Sequence, residues 1–148
     1  MKKIVLLPMD ERPCNYKFPK RLFENKEIKI IEPQILGFKK DGADYNIIKD
    51  FLCKECKDAY GLIISMDMLL YGGLIPSRIH HQDEEKLRKK LDTIKGLKKE
   101  NPSLKIFAFQ CIMRCPSYSS SDEEPDYYEY YGKQIHDLRE AVNMHQVG

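Results

Sequence analysis

Acids and arginines follow short apolar runs at three places along the chain. Ile4-Val5-Leu6-Leu7 leads into Asp10, Glu11 and Arg12. Leu62-Ile63-Ile64-Ser65 leads into Asp67 and then Arg78, and Ile106-Phe107-Ala108-Phe109 leads into Arg114 and a carboxylate-rich segment. If these runs are parallel strands, the loops gather at the carboxyl edge of one sheet, where α/β proteins bind ligands. Asp10 and Asp67 would there be candidate catalytic groups, as an acid and base or a nucleophile and acid, the chemistry of glycoside hydrolysis. Arg12, Arg78 and Arg114 carry the planar fork that grips a carboxylate or other anion. Asp126-Tyr127 adds an acid beside a ring with an apolar face and a hydroxyl, suited to a polyol or sugar.

Each of these residues also has a structural reading. Asp10 with Arg12, and Asp67 with Arg78, could simply organise their loops. Glu123, Glu124 and Asp126 precede or open a helix, where acids oppose the dipole favourably. Gly72-Gly73 lacks the GxGxxG and GxxxxGK[ST] patterns of nucleotide sites and reads as a tight turn. Cys53 and Cys56 with Cys111 and Cys115 amount to four thiolates. The first pair lies in an expected helix with Cys56 on its apolar stripe, and the second begins inside a strand, so no metal is expected there. His80 and His81 with Asp67 form another conceivable ligand set, set against an exposed helix start. Cys14 is a candidate nucleophile with no histidine near it in sequence. No cofactor is expected.

The elements that must position these groups alternate strand with helix four times. Strands are expected at about residues 2–7, 27–32 and 60–65 and at the run from Ile106 to Phe109. Helices are expected from near Phe18-Pro19 to Asn25, over roughly 43–57 and 83–100, and from near Pro125 past Val142. Ile48, Phe51, Leu52 and Cys56 form one apolar stripe, and Leu87, Leu91, Ile94 and Leu97 another. On the third helix Glu84–Arg88 and Glu85–Lys89 are i,i+4 pairs. Tyr128, Tyr131, Ile135, Leu138 and Val142 make the stripe of the last helix and read as core packing. The stretch Tyr71-Gly72-Gly73-Leu74-Ile75-Pro76 reads as a breaker that no helix continues through.

Strand–helix alternation implies an α/β fold with a parallel sheet. Four units in 148 residues approach the per-unit length of an eight-fold barrel of about 250 residues or more. The chain is therefore expected to be either a small open sheet or half of a (β/α) barrel-like protein, in one α/β unit over 1–148. An end just after a helix suits a fragment.

Composition narrows the partners. A net charge of +2 gives no electrostatic case for nucleic acid. The run Arg88-Lys89-Lys90 with Lys95, Lys98 and Lys99 alternates with acids and reads as a solvated helix face. No run approaches the ~20 apolar residues of a membrane span, and MKKIVLLPMDE is too short in apolar residues for a signal peptide. Five cysteines, an odd number, fit a reducing cytoplasm. A small polar or anionic molecule is the expected partner.

The segments IVLLPMDERPCNYKFP, SMDMLLYGGLIPSR and MRCPSYSSSDEEPDYYEYYG, with the Leu36-Gly37 pair, resemble the amino-terminal part of the bacterial family called domain of unknown function 4127. The resemblance covers essentially the whole chain. It implies the amino-terminal fragment of a longer protein, whose carboxyl-terminal part would be a further partner. It brings no activity and no site residue. The residues themselves point first to a hydrolase of a sugar or similar polar metabolite. A non-catalytic binding domain for a small anion or sugar is the alternative, and an inactive truncated fragment a third.

Overall fold

The computed structural model describes residues 1–146. Its elements are β1 (Lys2–Leu7), α1 (Pro13–Phe23), β2 (Ile28–Ile31), α2 (Tyr45–Glu55) and β3 (Gly61–Ser65), followed by α3 (Met66–Tyr71) and α4 (Leu74–Ile79). α5 (Glu84–Glu100), β4 (Lys105–Phe109) and α6 (Tyr128–Gln146) complete them. All four strands are parallel, in the order β2-β1-β3-β4. A barrel sets consecutive strands side by side. Here β3 lies beside β1 instead of β2, which is the order of a doubly wound open sheet. The half-barrel alternative thus gives way to the open-sheet one in the strands described.

One face of the sheet is closed. Val5, Leu7, Leu62 and Ile64 point into it and pack on Ile48, Leu52 and Cys56 of the α2 end, Leu97 of α5, and Met68 and Leu69 of α3. Polar contacts tie this layer together. Tyr45 and Thr93 share a 2.7 Å hydroxyl hydrogen bond between α2 and α5. The buried Asn101 donates from Nδ2 to the carbonyls of Cys56 and Ala59 at 2.9 and 3.0 Å, so the end of α2 finds an acceptor-satisfying partner just beyond α5. Side-chain caps start three helices: Asp44 on α2, Ser65 on α3 and Asp83 on α5.

The other face is half covered. α1 lies beside it, and beyond α1 the side chains of Ile63, Phe107 and Phe109 remain 38%, 61% and 40% exposed. The stripe of α6 also departs from expectation. Tyr128 is buried, but Tyr131, Leu138 and Val142 are exposed. Core packing therefore holds for one end of that stripe only.

Two boundaries differ for identifiable reasons. α1 starts at Pro13, where a missing N–H costs nothing, and continues through Pro19 in its interior. The expected breaker at 71–76 is a junction between two short helices. α3 ends in the left-handed Gly72, at φ 87°, whose N–H reaches back to Asp67 and Met68, and α4 restarts after Gly73 with Pro76 in its first turn. A Cβ on Gly72 would lie 2.6 Å from the Ala43 nitrogen, so this turn needs glycine for both its φ and its neighbour. No helix among the described residues is long and apolar enough to cross a membrane.

The two faces should respond differently to truncation. Leu52→Ala, on the closed face, should cost about 2–5 kcal/mol of unfolding free energy in urea. Phe107→Ala, on the open face, should cost under about 1 kcal/mol. Equal losses would show that the open face is packed in solution.

Candidate functional site

Because β1 has β2 on one side and β3 on the other, the loops leaving β1 and β3 separate and open a crevice at their carboxyl ends. The crevice is a cleft of about 950 Å³. Residues 10–13 after β1 form one wall and Gly72 to Arg78 after β3 another. Gly37 to Asp41 and the segment holding Arg114, Asp122 and Glu123 complete it. Arg12, Arg78 and Arg114 all line this cleft, as does Asp10. Asp126 and Tyr127 do not. Both are exposed, with Asp126 Oδ2 3.6 Å from His81 Nε2 and the Tyr127 ring tilted 45° against that of Tyr128.

Asp10 is buried and saturated. Its Oδ1 accepts from the Arg12 N–H at 3.1 Å and Asn15 Nδ2 at 2.7 Å, and its Oδ2 accepts from Arg12 Nε and Nη2, each at 2.7 Å. The bond to Asp10 is the main cause that raises the Arg12 guanidinium above its ordinary value. This is the loop-organising pair foreseen as the alternative to catalysis. Its physical effect is to fix how α1 leaves β1. Glu11 does similar work across the cleft, accepting from the Lys39 N–H at 2.9 Å, where Lys39 adopts φ 52° in a tight turn closed by Phe38 and Asp41. Lys40 and Asp122 form an ion pair from opposite walls.

Asp67 occupies a different place. It is buried in the first turn of α3, and its Oδ2 accepts from the Cys111 N–H at 3.0 Å. It lines a small cavity of about 210 Å³ with Tyr71, Ser77, Gln110 and Arg78. Leu74 and Arg78 line both this cavity and the main cleft, so the two spaces adjoin. Asp10 and Asp67 thus lie at neighbouring strand ends but in separate recesses.

Arg78 does not pair with Asp67. It turns to Glu124, whose Oε1 is 3.8 Å from Arg78 Nη1 and 3.3 Å from Arg114 Nη2. Arg114 Nη2 also donates to the Tyr118 hydroxyl at 2.7 Å. Glu124 is fully buried, with Oε2 unpartnered, and the neighbouring Arg78 Nε is unpartnered too. A buried carboxylate between two guanidinium groups holds them in place. Sequence reasoning assigns Glu124 only a helix-dipole role, because nothing marks it within the acidic run from Asp122 to Asp126. Lys39 and Lys40 were likewise not legible as cleft residues.

The cysteines do not form a four-thiolate cluster. Cys53 is exposed, while burial pushes the Cys56 thiol up to about 12. Cys111 lies beyond the end of β4, not inside a strand, and Cys14 is exposed in the first turn of α1. His80 accepts from the Gln82 N–H through Nδ1 and packs on Tyr71. Burial, with His81 and Lys90, lowers its pKa. Among the described residues, His136, Asp137 and Glu140 on α6 are the group within metal-ligand reach of one another, and it includes neither His80, His81 nor Asp67.

A family model described as "Protein of unknown function (DUF4127)" matches residues 4–148. No curated protein and no solved structure matches the chain.

Two outcomes follow from the geometry. Glu124→Ala leaves two guanidinium groups without their shared carboxylate and should cost about 3 kcal/mol in urea unfolding; a loss under about 1 kcal/mol would mean that the loop is held by other contacts. In thiol titration of the folded chain with a disulfide reagent, Cys14, Cys53 and Cys111 should react first. Cys56 should react only on unfolding, since its thiolate is scarce and inaccessible.

Proposed function

The chain belongs to the DUF4127 family of proteins of unknown function, and from that premise we propose that it is a small-molecule-binding α/β domain. Its cleft takes a polar metabolite that carries one anionic group. The observation that carries this reading is that Arg12, Arg78 and Arg114, from loops after three different strands, line one cleft of about 950 Å³. Charge balance shapes the ligand class. Arg12, Lys39, Lys40, Arg78 and Arg114 meet Asp10, Glu11, Asp41, Asp122 and Glu123 in that lining. Five cations against five acids suit a single carboxylate or phosphate on a hydroxyl-rich body, and would repel a polyanion. The five free thiols support a reducing, cytoplasmic setting.

A second reading, hydrolysis of a sugar or similar metabolite, is favoured by the place of Asp67. Its cavity adjoins the cleft through Arg78, so a ligand held by that arginine would present its next bond toward a buried carboxylate. Asp67 would then carry the proton, and Asp10, already holding Arg12, would position the loop.

Calorimetric titration with glucuronate and glucose 6-phosphate should show binding, and neutral methyl glucoside should bind more weakly. Arg78→Gln should weaken the anionic ligands about tenfold or more, as expected for one hydrogen bond to a charged group. Equal affinity for neutral and anionic sugars would sink the binding reading. Turnover of chromogenic glycosides, falling roughly 10² in Asp67→Asn with the melt unchanged, would establish the hydrolase reading instead.

A further inference from the structure

The half-covered face of the sheet has a definite shape and polarity. Ile4, Leu6, Ile30, Ile63, Phe107 and Phe109 floor it, α1 walls one side, and the space between is a groove of about 490 Å³. Side-chain alternation carries the same face on to Lys2 in β1 and Lys105 in β4. Both lysines turn toward Tyr60 at that end of the groove. Their Nζ atoms lie 4.7 and 4.6 Å from the ring centroid, and Lys105 Nζ donates to the phenol oxygen at 2.7 Å. That hydrogen bond, with the charges of Lys105 and Lys2, lowers the Tyr60 phenol from its ordinary value. Among the described residues neither ammonium forms an ion pair.

The floor also has a dip beside the lysines. Gly61 of β3 stands in register between Ile4 and Lys105. A Cβ there would sit 3.3 Å from the Ile4 side chain. Gly61 opens the central strand β3 and leaves this part of the floor without a side chain.

An apolar channel with unpaired cations at one end is complementary to an anionic amphiphile. We propose that this groove binds a free long-chain fatty carboxylate, its methylenes along Ile4, Ile63 and Phe107 and its head group at Lys2 and Lys105. A second copy of the chain is the poorer occupant, because it would have to cover two ammonium groups that have no counter-charge.

The test is calorimetric titration of the 148-residue chain with octanoate, decanoate and dodecanoate. One site per chain should appear, tightening roughly tenfold for each two carbons added. The double variant Lys2→Glu, Lys105→Glu should weaken dodecanoate at least tenfold and leave dodecanol unaffected. Gly61→Val, which fills the dip, should weaken both; should it fail to fold, the lysine pair decides alone, since those side chains are outside the core. Dodecanol binding as tightly as dodecanoate, or insensitivity to the lysines, would overturn the proposal. So would a sedimentation dimer that Phe107→Glu disperses, which would make a second copy the occupant. Co-sedimentation with anionic vesicles without binding of dodecanoate would likewise overturn it in favour of a membrane surface.

Discussion

Ile4 to Leu7 of β1 run parallel and in register with Gly61 to Ile64 of β3, and most of what is distinctive at the carboxyl edge depends on that pairing. A parallel sheet whose connections reverse direction at β1 cannot keep its following loops together. The loop after β1 goes to α1 on one face, while the chain after β3 turns at once into α3 on the other. The crevice between them is therefore a consequence of strand order and needs no special loop sequence. What the loops add is chemistry. Ser65 caps α3 directly from the strand end, which brings Asp67 into the first helical turn and against the backbone of Cys111 beyond β4.

Charge at this edge is organised by saturation more than by excess. Asp10 spends both oxygens on Arg12 and Asn15, Glu11 spends one on the Lys39 backbone, and Glu124 is divided between Arg78 and Arg114. The Asp10 bonds fix its own loop against the start of α1, and the others fix one loop relative to another, so the arginines are held in place before any ligand arrives, and less ordering entropy is then lost on binding. The two unpartnered atoms, Arg78 Nε and Glu124 Oε2, mark where this saturation is incomplete.

The asymmetry between the two faces of the sheet has the same origin in strand order. β2 and β1 receive α1 on one side. α2 and α5 both fall on the opposite side and close it around Val5, Leu7, Leu62 and Ile64. Parallel strands are ordinarily buried on both faces. The apolar runs Ile4 to Leu7 and Leu62 to Ile64 fit that rule, while Ile63 and Phe107 stand on the face that α1 covers only in part.

How much of this was legible in the chain differs with the range of the interaction. The four strands, the helices over 45–55 and 84–100, and the parallel sheet follow from local periodicity and turn residues, because these depend on neighbours a few residues away. The strand ends that carry Asp10, Asp67 and the three arginines were readable for the same reason. Long-range choices were not. Whether Asp67 pairs with Arg78 or leaves it to Glu124 is settled by residues far apart in the chain, by which loops the sheet order presses together. The split of 71–76 into two helices needed Ala43 packed against Gly72. The exposed stripe of α6 shows the converse, a helical period that declares an apolar face without saying what covers it. Local residue patterns specify the elements and the edge at which chemistry gathers. That β1 and β3 are neighbours, that Asp10 and Asp67 occupy separate recesses, and that Glu124 sits between the arginines emerges from the assembled fold, because each of those depends on segments that meet once the sheet has formed.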